Sequence, residues 1–372
     1  MTPTTKAEPP AFRLADVVRI FGDDVRRGAA LLYQQLRALC DIVRCRTAAL
    51  GGHQELYECG HLVTAYNSCR NRSCPRCQAS KARDWVSQKE LDLLPIPYFH
   101  VVFTVPKALA DLPPMARAML YNALFRASSA TLLEFGRRHL GGQIGFISVL
   151  HTWGQTLMHH PHVHCVVAGG AWDRENKVFK KARRNFLFPI RALSVVFRGK
   201  LLADLRKSGL PGLDDHALDS VLAAASRHKW VVYAKHPFGG PEQVLRYLAR
   251  YTHRIAIGDH RLRNVSEKTV TFDWKDYRDG GATKQMTLDG PEFLRRFLQH
   301  VPARGCTRLR SSGFLANSVK RESLLATRAA LAATAPAPTP ERPCLCPVCG
   351  IGVLVSRQML QPWTLLPWSD TS

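Results

Sequence analysis

Residues 155–165 read QTLMHHPHVHC, the densest group of metal-ligating side chains in the sequence. The β-branched run that follows predicts a strand here. On a strand, residues two apart share a face. His162 and His164 therefore project side by side, while Val163 and Cys165 face the core. Two adjacent imidazoles on a rigid element can hold a metal ion and leave positions open for a substrate oxygen, as a Lewis-acid centre requires. Gln155, at the end of the preceding strand, is the first choice for a third ligand, and His151 the second. Taken alone, the same pair could equally be two solvated histidines on an edge strand.

A second group lies in PEQVLRYLARYTHR (241–254), read as a helix opened by proline. Tyr247 and Tyr251 are one turn apart, so both hydroxyls share a face, with Arg246, Arg250 and Arg254 beside them. A phenol with an ordinary pKa of about 10 attacks poorly unless a cation assists it. Arginines near it would steady phenolate and phosphate. Joined to a metal-polarised phosphodiester, such a tyrosine would form a 5′-phosphotyrosine and release a 3′-hydroxyl. The ester conserves the energy of the broken bond, so the strand can be rejoined elsewhere. Two tyrosines would permit two successive transfers.

The third group is cysteine. Cys74-Pro-Arg-Cys77 is a zinc-knuckle half-site, and Cys59, with Cys69 or a nearby His, could complete a tetrahedron. Arg70, Arg72 and Arg76, with Tyr66 and Trp85 interleaved, suit a DNA backbone and unpaired bases. Cys344, Cys346 and Cys349 offer three ligands and no evident fourth, which leaves a second zinc site and a degenerate remnant both open. Cys40, Cys45, Cys165 and Cys306 read as scattered.

The elements that must position these groups follow from hydrophobic period. YFHVVFTV (98–105) predicts a strand, 115–139 a long helix, IGFISVLHTWGQ (144–155) a second strand, and HVHCVVAGG (162–170) a third. Strand, crossover helix, strand, short turn, strand is the order of a split βαβ unit with an antiparallel sheet. Helices are expected at 24–45, 190–210, 214–226 and 291–301, and a hairpin at 268–290 around RDGG. The fold class is therefore α+β, with an antiparallel sheet flanked by helices and a small N-terminal zinc-binding domain. The expected domains are a loose 1–22, a helix and zinc-binding DNA-binding domain over 23–94, and a catalytic domain over 95–328. An Ala/Pro-rich linker over 329–343 and a Cys-containing tail over 344–372 follow.

Composition narrows the partners. The 372 residues carry 52 Lys+Arg against 29 Asp+Glu, a formal charge of +23. So large an excess points to a polyanion, most simply nucleic acid. The hydrophobic fraction of 46% excludes a disordered basic tail. No apolar run approaches the roughly 18 residues of a membrane span, and the start lacks a signal peptide, so a cytoplasmic, nucleoid-associated protein is expected. No G-x-x-x-x-G-K-[ST] occurs, so helicase work would fall to host replication proteins.

The blocks YNSCRNRSCPRCQ, PYFHVVFTVP, LHTWGQTLMHHPHVHCVVAGG, VLRYLARYTHRIAI and SSGFLAN together resemble the rolling-circle insertion-sequence transposases of the IS91 type, two-tyrosine HUH endonucleases. The resemblance spans about 30–350. It implies a zinc-binding domain followed by an HUH domain that nicks and rejoins single-stranded DNA, including hairpin DNA at transposon ends, and inserts it into target DNA. It implies Mg2+ or Mn2+ on His162 and His164, and Tyr247 and Tyr251 as nucleophiles. The family's extra cysteine before the Cys-Gly-His step is replaced here by Tyr57 or Glu58, so His53 or Cys69 would have to serve. A plasmid replication initiator or relaxase-type nickase, and a non-catalytic zinc-dependent DNA-binding protein, are the alternatives.

Overall fold

The computed structural model describes residues 10–77, 91–183, 185–228, 230–235, 243, 255–334 and 344–362. The chain forms two compact units that interleave in sequence. One comprises Met1–Lys81, Ile255–Val301 and Thr339–Ser372, the other Ala82–Arg254 and Pro302–Pro338. The sequence reading assigned contiguous domains; here residues 255–301 and the C-terminal segment group with the N-terminal part.

The first unit opens with α1 (Leu14–Gly28) and α2 (Tyr33–Arg44). Residues 14–22, expected to be loose, are the buried half of α1. Leu14, Val17, Val18, Phe21 and Val25 recur at helical spacing and are all buried. Asp16 accepts the Arg13 amide at 2.9 Å, and Asp259 accepts the Leu14 amide at 3.0 Å, satisfying two donors that a helix start leaves open. Strands β1 (Gly52–Tyr57) and β2 (Leu62–Tyr66) follow as a hairpin.

The second unit contains β3 (Tyr98–Thr104), α3 (Arg117–Phe135), β4 (Gln143–Trp153), β5 (His159–Asp173) and β6 (Val178–Lys181). It continues through α4 (Ile190–Ser208), α5 (Asp215–Arg227) and β7 (Val232–Lys235). The chain then returns to the first unit with β8 (Leu262–Val265), β9 (Thr269–Asp276), β10 (Ala282–Asp289) and α6 (Gly290–Leu298). There α1 packs on α6, and Phe272 meets Phe293 edge-on at 5.6 Å. Strand β11 (Leu309–Gly313) and α7 (Lys320–Ala330) belong to the second unit. Finally β12 (Leu354–Leu360), in the expected tail, pairs antiparallel with β1 to complete a sheet of order β12-β1-β2.

The sheet of the second unit has the order β11-β4-β5-β3-β7, with β6 beside β5. Both β3 and β4 run antiparallel to β5. They are therefore parallel to each other, joined through α3, with β5 inserted between them. This is the split βαβ arrangement that the strand order predicts.

Alternation assigns the two faces. Phe99, Val101, Phe103, Phe146, Leu150, Val163, Cys165 and Val167 point into a core with Leu120 and Leu124 of α3, Phe197 and Leu201 of α4, and Leu222 of α5. Each fully buried phenylalanine there contributes about 1.5–3 kcal/mol. The opposite face is apolar at one end, where Tyr98, Ile147, Val166 and Ala168 pack against Phe314 and Leu324. At that end Gly145 pairs with Gly313, whose φ is +65°; a Cβ on Gly313 would lie 1.6 Å from the Ile144 carbonyl oxygen, so only glycine fits. At its other end this face carries histidines.

Candidate metal centre

Three imidazoles converge there. The ligand nitrogens of His151, His162 and His164 all lie within 4.8 Å of one another. Register explains the gathering. His151 of β4 is opposite His162 of β5, and Val149 is opposite His164, so three same-face positions on adjacent strands carry the rings. His151 and His164 are buried and His162 is half-buried. The His151 ring stacks on Trp153 at 4.6 Å and meets His164 edge-on at 4.6 Å.

Hydrogen bonds set which nitrogen of each ring faces a ligand. His162 Nδ1 lies 2.7 Å from the His160 carbonyl oxygen. A carbonyl can only accept, so Nδ1 carries the proton and Nε2 is the ligand atom. His164 Nδ1 lies 2.9 Å from Nε2 of His100, a residue of β3 that is 3% exposed. With His164 Nδ1–H donating, its Nε2 is likewise the ligand atom, held by a buried outer partner as metal-bound histidines usually are. The two rings stack at 5.1 Å with 12° between planes.

The first-choice third ligand, Gln155, lies in the turn after β4 and is half-buried; the second choice, His151, is the one that joins His162 and His164. Neighbouring His159 is otherwise engaged. Its Nδ1–H donates to the Ala110 carbonyl at 2.6 Å, and its Nε2 accepts from the Tyr121 hydroxyl at 2.7 Å. Burial pushes its pKa down to about 4. Tyr247, Tyr251, Arg246, Arg250 and Arg254 lie outside the described residues.

The first unit holds two cysteine clusters. Cys45, Cys69, Cys74 and Cys77 bring their sulfurs within 4.8 Å of one another, with Cys45–Cys77 and Cys69–Cys77 both at 3.5 Å. Tetrahedral zinc with Zn–S near 2.3 Å would place sulfurs about 3.8 Å apart, so the four fit the ion. Thiol hydrogen bonds from Cys69 and Cys74 hold the Cys45 thiol down to about 7. The Arg46 amide donates to the Asn67 carbonyl at 3.0 Å, and the Arg76 guanidinium to the Cys45 carbonyl at 2.8 Å. These bonds draw the end of α2 onto the knuckle. Arg76, expected on DNA, thus has a bond inside the knuckle, whereas Arg70 and Arg72 are exposed.

Cys59, expected in this tetrahedron, is a correction: Cys45 takes its place. The β1–β2 turn carries Cys59 instead to Cys346 and Cys349, all three sulfurs within 4.8 Å. His53, the other substitute considered, lies 3.1 Å from Glu55 through its Nε2. Sequence reasoning also missed His100, whose signal was a lone polar residue at an alternating position of an otherwise apolar strand.

Comparison with known proteins bears on both regions. Residues 145–323 match a family described as "Putative transposase", and 17–105 one described as "Transposase zinc-binding domain". The first range contains His151, His162 and His164; the second contains Cys45, Cys69, Cys74 and Cys77. The chain is 44% identical to "Putative transposase y4qJ" of Sinorhizobium fredii, over 88% of this chain and 86% of that protein. It is 30% identical to "Transposase for insertion sequence element IS801" of Pseudomonas savastanoi pv. phaseolicola, over 82% and 76% respectively. Among the described residues no helix is long and apolar enough to cross a membrane.

Proposed function

This chain belongs to the IS91 family of insertion-sequence transposases, and from that premise we propose that it nicks and rejoins single-stranded DNA at the ends of its element in a rolling-circle manner. The observation that carries this reading is the convergence of His151, His162 and His164 on one sheet face, with His100 fixing one ring from behind.

These three imidazoles, with Gln155 as a further donor, would hold a divalent cation, which when bound polarises the scissile phosphate as a Lewis acid. Three imidazole nitrogens in the donor set favour Mn2+ over Mg2+. Tyr247 or Tyr251 supplies the nucleophile. Its hydroxyl oxygen bonds to phosphorus and gives up its proton, the bond from phosphorus to the 3′-oxygen breaks, and the departing 3′-oxygen takes a proton. A 5′-phosphotyrosine results. Attack by another 3′-hydroxyl reverses the step and seals a new junction, with the second tyrosine available for the next cut. Arg246, Arg250 and Arg254 steady the phosphate, and Arg70 and Arg72 beside the zinc knuckle hold the strand.

The test is covalent capture. Purified protein with Mn2+ and single-stranded end DNA should yield a protein–DNA adduct that Tyr247→Phe and Tyr251→Phe together abolish. His162→Ala should lower its rate about a thousandfold, a loss of several kcal/mol of Lewis-acid assistance. An adduct that persists at full rate in the double phenylalanine variant overturns the tyrosine assignment.

A further inference from the structure

We propose that Cys59, Cys346 and Cys349, with Cys344 as the fourth thiolate, form a second structural zinc site that staples the C-terminal segment to the β1–β2 hairpin. Nothing in the matched zinc-binding domain, residues 17–105, reaches the three C-terminal cysteines.

The backbone around these thiols is built as a ligand loop. Cys346-Pro-Val-Cys349-Gly folds back on itself, with the Cys346 amide donating to the Gly352 carbonyl at 2.7 Å and the Gly350 amide to the Cys346 carbonyl at 2.9 Å. Gly350 has a φ of +73°, which lets the turn close behind Cys349. The Gly352 amide donates to Cys349 Sγ at 3.3 Å, a bond that favours the thiolate a metal needs. A Cβ on Gly352 would lie 3.1 Å from the Cys59 backbone nitrogen and 3.2 Å from its Sγ, so the two halves are in close contact at this position. Glu58 locks them from the other side: its amide donates to the Val353 carbonyl, and its carboxylate accepts the Val353 amide, both at 3.0 Å.

Leu345 bridges to Val353 in extended pairing, and Cys344, two residues before Cys346, is the further cysteine on this segment, its sulfur outside the 4.8 Å group of the other three. The Tyr57 hydroxyl lies 3.9 Å from Cys344 Sγ.

Packing alone gives no reason for this gathering. Cys59, Cys344 and Cys349 are exposed, whereas a cysteine kept for its apolar bulk is buried. The sheet it serves has little core: β12 is exposed along most of its length and β2 alternates between exposed and half-buried. Metal ligation substitutes for the missing apolar contact, as in other small domains.

The experiment is zinc counting and thiol protection on the full chain. Native mass spectrometry should show two zinc ions per chain. Pulse alkylation with N-ethylmaleimide should label Cys40, which is exposed and outside both clusters, while Cys59, Cys344, Cys346 and Cys349 stay protected until a chelator is added. Cys59→Ala should lower the count by one and unmask Cys346 and Cys349, with Cys45, Cys69, Cys74 and Cys77 still protected. One zinc per chain, with Cys59, Cys346 and Cys349 labelled as fast as Cys40 or joined in a disulfide, overturns the site. The unmutated chain decides this even if Cys59→Ala fails to fold. Rapid labelling of Cys344 alone overturns its place as fourth ligand.

Discussion

The histidine cluster and the Cys45 cluster reach ligand geometry by opposite routes. His151, His162 and His164 come from two adjacent strands within fourteen residues of sequence, and a third strand supplies His100. The sheet's register sets their spacing, and a large apolar core on the other face holds the sheet. The rings are thus placed before any ion arrives. Cys45, Cys69, Cys74 and Cys77, by contrast, come from the end of α2, a loop and the helical turn at 75–77, tied by a few hydrogen bonds. There the ion does structural work that the local backbone does not. A catalytic centre gains from rigidity independent of its ligand, while a structural centre can let ligand and fold form together.

The largest expected effect breaks the comparison at the cysteine end. Structural zinc is worth on the order of 10 kcal/mol of folding free energy, so a strong chelator should unfold the first unit and leave the second intact. Limited proteolysis of the full chain should then cut within 10–77 and 255–301 while fragments covering β3–β5 survive. Equal loss of both units would show that the histidine sheet depends on zinc as well.

A smaller effect sharpens the histidine end. His100→Ala removes the outer partner of His164 but no proposed ligand. The metal concentration for half-maximal adduct formation should rise about 10- to 100-fold, with the maximal rate recovered at saturating Mn2+. A lower maximal rate at unchanged metal dependence would show that His100 acts otherwise.

A third effect is a pH dependence. Burial depresses the pKa of His159 from an ordinary 6.5 to about 4. Between these values the unfolded chain binds more protons than the folded one, so His159 contributes stability above pH 6.5 that is lost as the pH falls toward 4. Urea unfolding of the second unit should show this loss, and His159→Gln should flatten it. An unchanged slope in the variant would assign the acid sensitivity elsewhere.

Much of the second unit was legible because its signals are local. The strands around His100, His151 and His164 stand out as β-branched, apolar runs; in the first unit, the RDGG turn marks the β9–β10 hairpin, which pairs Ala282 with Asp276. Helix α1 goes unread, although Leu14, Val17, Val18 and Phe21 carry the period; the polar Pro/Thr-rich start conceals it, and 1–22 reads as loose. What could not be read was every contact between distant segments. Cys45 looked scattered because its partners lie 24 or more residues on, and Cys59 was assigned by nearness to the wrong cluster. The same distance hid the assignment of β12 to β1 and of 255–301 to the first unit.

The sequence by itself determined residue chemistry and local period: which side chains could bind metal, that His162 and His164 share a face, and that the chain carries a strong positive excess. Only the tertiary structure decided which cysteines meet, that His151 is the third imidazole, and that His100 stands behind His164. The physical reason is that alternation and helical spacing are set by neighbours along the chain. Strand order, register and the meeting of remote loops are set by which apolar faces bury one another, and no short stretch of sequence records that choice.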